Sequence, residues 1–279
     1  MLLAGGAVLG AALDGAGAAV AGGLAGLAAA VLLVTAFRRG DARRRAALAA
    51  PFPAAWREAL LHRYDHYHRL PDEWRARFED DVRLFLAEKR ITGVEVEATD
   101  ELRLLVAASA VTLSLGWPDY EWDQLSEVLL YPQAFDRDYG FENADLAGQA
   151  HAWGTVILSV PALLESFEDP DDGYHVGIHE FAHLLDADRT RFDGIPAGLA
   201  PRRSVEWVAL VEKEMERLRR GKSVLDAYGG EDPVEFLAVA VESFFEAPVA
   251  LRQRHRELYA ILSEYFAQDP AAWDDARGL

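Results

Sequence analysis

The chain has 279 residues, 51% hydrophobic and 27% charged, enough for one sizeable globular core plus an appendage. It contains no cysteine, which excludes disulfides and thiolate zinc sites and leaves histidine and carboxylate as the available metal ligands. The net charge of −18 argues against a general nucleic-acid binder, because a phosphate backbone would be repelled by most of such a surface. The acidity is unevenly spread: residues 1–40 hold only Asp14, Arg38 and Arg39, a net of +1, so the remainder carries −19.

The first 45 residues are unlike everything after them. From Gly15 to Phe37 the only polar side chain is Thr35, giving 23 residues against the roughly 20 needed to cross a bilayer. No Lys or Arg precedes this run, while Arg38, Arg39, Arg43, Arg44 and Arg45 follow it. The expectation is an N-terminal transmembrane helix over residues 15–37 whose C-terminal side faces the cytoplasm by the positive-inside rule. The alternative is a disordered or mis-started Ala/Gly leader on a soluble cytoplasmic protein.

"APFPAAW" (50–56) reads as a linker into a second domain, taken as residues 46–279. Helical periodicity covers about 54–69 and 72–90, the second with Phe78, Val82, Leu84, Phe85 and Leu86 on its apolar side. "ITGVEVEAT" alternates as a short strand does. Residues 100–116 read as a buried helix with Asp100 as N-cap and Gly116 as its stop. "SEVLLYPQAF" and "GTVILSV" suit strands. After "DPDDGY" a further helix begins, followed by others at about 204–220, 233–246 and 253–267. The fold class is α+β, mostly helical with a small sheet.

The helix after "DPDDGY" contains "GIHEFAHLLDADR" (177–189). Residues i and i+4 of a helix differ by about 40° in direction, so His179 and His183 project from one face and can share an ion at about 2.1 Å. Glu180 lies about 100° round, beside such an ion, where a carboxylate can take a proton from water and pass it to a leaving amine. Val176, Ile178, Phe181, Ala182, Leu184 and Leu185 make the helix apolar nearly all round, which argues against a surface helix that merely carries two histidines. Buried polar side chains need partners, and a metal supplies them.

Two imidazoles do not complete a site. A metzincin would continue with Gly at 186 and His at 189, where this chain has Asp186 and Arg189. A glutamate on a later helix is the remaining solution, and "YGGEDPVEFLAVAVESFFEAP" (228–248) is the best source, with Asp232 and Pro233 as N-cap and first turn. Within it Glu235 and Glu242 are seven apart and share a face, so spacing alone leaves both open.

"HEFAHLLD", "DGIP", "DAYGGEDPVEFLAVAVESFFEAP" and "YFAQDP", with "FLAEKRITG", "EVLLYPQAF" and "AWGTVILSV", resemble the Mlc titration factor A family of zinc peptidases over about Leu70 to Pro270. These are gluzincin-like enzymes related in their catalytic core to the anthrax lethal factor protease domain. The resemblance implies a zincin-like domain that binds one zinc ion, with His179, His183 and Glu235 as ligands and Glu180 as general base. It also implies Tyr228 as oxyanion donor and Asp186 as a support that orients a ligand imidazole. At the position of a further upstream histidine of some members stands Glu142, so any regulation through that histidine would be altered here.

His175, His151 and the set His62, His66 and His68 have metal-like spacing but read as structural or solvent-facing, the last three as a polar helix face. The expected function is hydrolysis of peptide or protein substrates at the bacterial inner membrane, the catalytic domain facing the cytoplasm. "TVILSV" is expected as the edge strand to which an extended substrate adds. The alternative is a regulatory protein that binds a partner such as a transcriptional repressor, with hydrolysis secondary.

Overall fold

The computed structural model describes residues 30–31, 34–35, 39–137, 139–141, 146–168, 173–186 and 192–277. The chain divides into two compact units between Ala50 and Pro51; of the first, residues 39–49 are helical. Most of the expected membrane span at 15–37 lies outside the described residues, as does Glu142. Among the described residues no helix is long and apolar enough to cross a membrane.

The second unit begins with α1 (Ala54–Arg63) and α2 (Asp65–Arg69). The single helix expected over 54–69 is thus two, broken at Tyr64, which is extended and buries its ring with its hydroxyl 2.6 Å from Thr112 Oγ1. The break turns His66 inward against Phe245 and Trp273, while His62 and His68 stay exposed, so the expected polar histidine face does not form. After α3 (Asp72–Glu88), strand β1 (Arg90–Gly93) is shorter than its alternation suggests, because Glu95 takes a left-handed backbone (φ 59°) that ends the extension.

Helix α4 (Asp100–Ser114) is capped one residue earlier than expected, by Thr99, whose Oγ1 accepts the Leu102 N–H at 3.3 Å. It is buried on every side from Leu104 on. Its hydroxyls Ser109 and Thr112 donate back to the carbonyls of Leu105 and Ala108, so they enter the core with their donors satisfied.

Strands β2 (Glu127–Tyr131), β3 (Gly148–Ala150) and β4 (Thr155–Ser159) complete a four-stranded sheet of order β1-β2-β4-β3. β1 pairs in parallel with β2, β2 in parallel with β4, and β3 runs antiparallel to β4 with Gly148 opposite Leu158. The strand expected at the edge, β4, is therefore interior, buried from Val156 to Ser159; the edges belong to β1 and, on the side of β4, to β3. Three residues of "GQA" carry little strand propensity, and pairing with β4 makes them a strand.

Next come α5 (Val160–Glu165), α6 (Val176–His183), α7 (Pro201–Arg219) and a single 3₁₀ turn at Ala227–Gly230, then α8 (Pro233–Glu246), α9 (Pro248–Arg254), α10 (Arg256–Phe266) and α11 (Pro270–Arg277). The helix expected over 253–267 is interrupted at His255, whose buried imidazole lies 2.7 Å from Glu214 and 3.2 Å from Ser223 Oγ. α8 starts at Asp232, whose carboxylate accepts the N–H groups of Val234 and Glu235 as expected, and it is buried from Phe236 to Glu246. Burying Phe236, Leu237, Phe244 and Phe245 stabilises the fold by about 1.5–3 kcal/mol per side chain and fixes α8 against α6. The result is an α+β fold, mostly helical, with a small mixed sheet.

Candidate metal centre

Helix α6 reaches the centre of the molecule because its first turn carries no side chain on the side facing α4. A Cβ on Gly177 would lie 2.3 Å from Ser109 Oγ, so only glycine permits this approach. His175 precedes the helix as its N-cap, fully buried, its Nδ1 accepting the Ile178 N–H at 3.2 Å. Of the two readings of His175, the structural one describes it.

One turn on, His179 and His183 sit with ring centroids 4.8 Å apart, and both face α8. Glu235 Oε2 lies 3.1 Å from His179 Nε2 and 3.8 Å from His183 Nε2. The ligand atoms of His179, His183 and Glu235 all fall within 4.8 Å of one another. Tetrahedral ligands about 2.1 Å from a common ion stand about 3.4 Å apart, so this set fits a metal with little movement. On the same helix Glu180 Oε2 is buried with no hydrogen-bond partner among the described residues, as expected of a carboxylate beside a site built to hold something.

Glu242 takes a different place from Glu235. Its Oε2 is 3.1 Å from His179 Nδ1, and its Oε1 accepts the His175 N–H at 2.8 Å. It stands behind the imidazole instead of in front of it, and a ring that gives its Nδ1–H to Glu242 presents its Nε2 lone pair to a cation. The spacing of the two glutamates could not tell them apart; the 700° of helical rotation between them brings both to α6, one turn-pair apart along it.

The electrostatics follow from burial. Burial alone would depress the pKa of His179, but the carboxylates of Glu242 and Glu235 outweigh it and hold the imidazole well above its usual range. Burial would raise Glu235, yet the His179 hydrogen bond and the neighbouring imidazoles keep it below the usual carboxylate value. For Glu180 burial dominates, reinforced by Glu235 and Glu242 against the opposing His179, and the carboxyl is pushed up to about 8. Burial and the nearby His179 charge hold His183 down at about 3.

The surroundings come from three segments. Edge strand β3 crosses over Glu180 so closely that a Cβ on Gly148 would meet Glu180 Oε1 at 2.6 Å. Asp226 caps the 3₁₀ turn by accepting the Tyr228 N–H at 2.8 Å and presents the Tyr228 ring 6.0 Å from that of His179. Tyr228 is 45% exposed, and partial burial with Glu235 nearby raises its phenol to about 12, so it is a hydrogen-bond donor at neutral pH. A cavity of about 260 Å³ lies between β3, His179, Glu180, Tyr228 and Glu242.

Asp186 does not touch an imidazole, contrary to expectation. Its carboxylate accepts the N–H groups of Asp193 at 2.9 Å and Gly194 at 2.6 Å, which fixes the returning chain so that Phe192 stacks on His183 at 5.5 Å. His62, His66, His68 and His151 have no place in the ligand set; His151 instead stacks on Trp153.

Residues 38–267 match the family described as glucose-regulated metallo-peptidase M90. The chain belongs to that family. An uncharacterized protein of Synechocystis sp. is 31% identical over 247 residues, covering 82% of this chain and 90% of that protein. Mlc titration factor A of Edwardsiella ictaluri is 32% identical, covering 66% and 74%, and its counterpart in Escherichia fergusonii is 30% identical, covering 77% and 86%. Membership of the M90 family and the His-His-Glu constellation agree on metal chemistry. The family match takes in every residue of the centre, from Gly148 to Glu242.

Proposed function

We propose that this chain is a zinc-dependent peptidase, with His179, His183 and Glu235 as the zinc ligands, Glu180 as general base and Tyr228 as oxyanion donor. The convergence of Glu235 Oε2 on both Nε2 atoms carries this reading. A hard/borderline set of two imidazoles and one carboxylate suits zinc, and three protein ligands leave the open position typical of a catalytic site. Zinc held there would supply Lewis acidity, polarising a scissile carbonyl and making water nucleophilic near neutral pH.

The chain's own residues do the rest. An extended substrate pairs with the edge of β3 that is unpaired among the described residues, the strand that crosses the site, which sets its scissile bond over Glu180. Glu180 takes the proton of the attacking water on its partnerless Oε2 and returns it to the departing amine. Burial raises the Glu180 carboxyl, and a cation held beside it would draw it back toward the ionised form that accepts a proton. Tyr228 Oη donates to the negative oxygen as it develops. Glu242 holds His179 in orientation and fixes its tautomer, while Phe192, anchored by Asp186, packs on His183.

Dialysis of the full chain against a chelator should abolish cleavage of a peptide library, and zinc should restore it. Cleavage that survives metal removal would overturn the reading.

A second reading is favoured by the name of the relatives. Mlc titration factor A is named for a protein it acts on, and this chain would then act by binding a protein partner. A Glu180→Gln form that keeps full cellular effect would support binding over hydrolysis.

A further inference from the structure

The loop that brings Tyr228 to the metal centre is short of apolar anchors. Between Gly221 and Tyr228 only Leu225 is buried, and Tyr228 itself is 45% exposed, so core packing alone does not fix its ring. Downstream the 3₁₀ turn lies against α8, where a Cβ on Gly229 would stand 3.1 Å from Val239 Cβ. Upstream the anchor is polar. His255, buried at the break between α9 and α10, places its Nε2 3.2 Å from Ser223 Oγ and 3.4 Å from the Val224 nitrogen. Ser223 Oγ accepts the Leu225 N–H at 3.2 Å, and the next residue, Asp226, caps the turn that presents Tyr228.

Which nitrogen of His255 faces the loop as an acceptor is decided on its far side. A carboxylate only accepts, so Nδ1, 2.7 Å from Glu214 Oε2, carries the ring proton. Arg217 Nη1 donates to both Glu214 oxygens, at 2.9 and 3.0 Å, and gives that buried carboxylate a charged partner. Nε2 is therefore bare, and it accepts the Ser223 O–H and the Val224 N–H. Burial, with Arg217 and against Glu214, lowers the imidazole pKa and favours this neutral form.

We infer that His255 is a positioning residue for the oxyanion donor: by holding Ser223 and Val224 it fixes the loop that aims Tyr228 at the centre. The inference rests on the zinc-peptidase reading, in which Tyr228 is that donor. Neither His255 nor Ser223 lines the catalytic cavity or belongs to the ligand set, so their effect reaches the reaction only through the loop. Displacing a catalytic group by about 1 Å can cost about 10²-fold in rate, which makes so remote an anchor visible in kcat.

The test is a double-mutant cycle on the zinc-loaded full chain, following hydrolysis of one peptide. His255→Asn keeps an amide N–H for Glu214 and removes the acceptor that faces the loop. It should lower kcat about tenfold, with KM within about twofold and zinc content unchanged. Tyr228→Phe should cost about 10²-fold, as loss of one oxyanion donor does. In the Tyr228→Phe background His255→Asn should then cost less than about twofold, because groups that act as a unit are not additive. Ser223→Ala, on the half-exposed loop and outside the core, should lower kcat several-fold, and Ser223→Thr should recover most of that loss. An equal loss from His255→Asn with and without the Tyr228 hydroxyl would overturn the inference and leave the peptidase reading standing, as would an unchanged kcat in Ser223→Ala. An unchanged rate in Tyr228→Phe would instead remove the oxyanion role of Tyr228, and this inference with it.

Discussion

The two ends of α6 differ in how they treat negative charge. Around its middle, the small cavity of about 260 Å³ is walled by Glu180 and Glu242, which are 5% and 2% exposed. Past its C-terminus, a groove of about 780 Å³ is three times as roomy, yet its rim carboxylates Asp119 and Asp123 stand in solvent. Leaving a carboxylate in water costs nothing, whereas burying one is expensive unless a partner or ligand compensates. A buried carboxylate whose oxygen lacks a partner, more than the size of the hollow, marks the end where chemistry is expected, whereas Asp186, buried at the other end, has its carboxylate satisfied by two backbone N–H groups.

The comparison can be broken most severely at Glu235. Glu235→Ala should lose bound zinc and with it hydrolysis, by about 10³-fold or more, as measured by metal content and peptide cleavage. A variant that retains one zinc per chain would show that Glu235 is not a ligand. Glu242→Gln should act less drastically, weakening zinc affinity about 10–100-fold in a competition titration because the His179 ring loses its fixed tautomer. Unchanged affinity would remove Glu242 from the metal's support. Smallest of all is the effect at the other end of α6: Asp119→Asn/Asp123→Asn should leave hydrolysis of a neutral peptide within about twofold of the parent, since exposed substitutions remote from the site rarely exceed a few tenths of a kcal/mol.

How much of this was legible in the sequence varies with how local the cause is. His179, Glu180 and His183 follow from spacing on one helix, and the Asp232–Pro233 start of α8 is local chemistry too. The division of labour between Glu235 and Glu242 was not legible from spacing, and only the family resemblance pointed to Glu235. Both lie on one face, and only the docking of α8 against α6 puts one in front of the imidazole and the other behind it. A charged residue deep in the run "FLAVAVESFF" was nevertheless a signal that Glu242 had a buried partner. Edge strand β3 was invisible because pairing with β4, not its composition, makes it extended, and missing it assigned the free edge to the wrong strand. The breaks at Tyr64 and His255 escaped periodicity for the same reason: each is set by distant partners, Thr112 for one and Glu214 with Ser223 for the other. Asp186 was assigned by analogy to an imidazole when its actual partners are two backbone N–H groups seven and eight residues on.

The most direct measurement sets the full chain beside Glu180→Gln, recording zinc content and peptide hydrolysis on the same samples. Removing the base while sparing the ligands should leave about one zinc per chain in both proteins and lower hydrolysis by about 10²–10⁴-fold in the variant. Hydrolysis by Glu180→Gln at a rate near that of the parent, with zinc bound in both, would contradict the account.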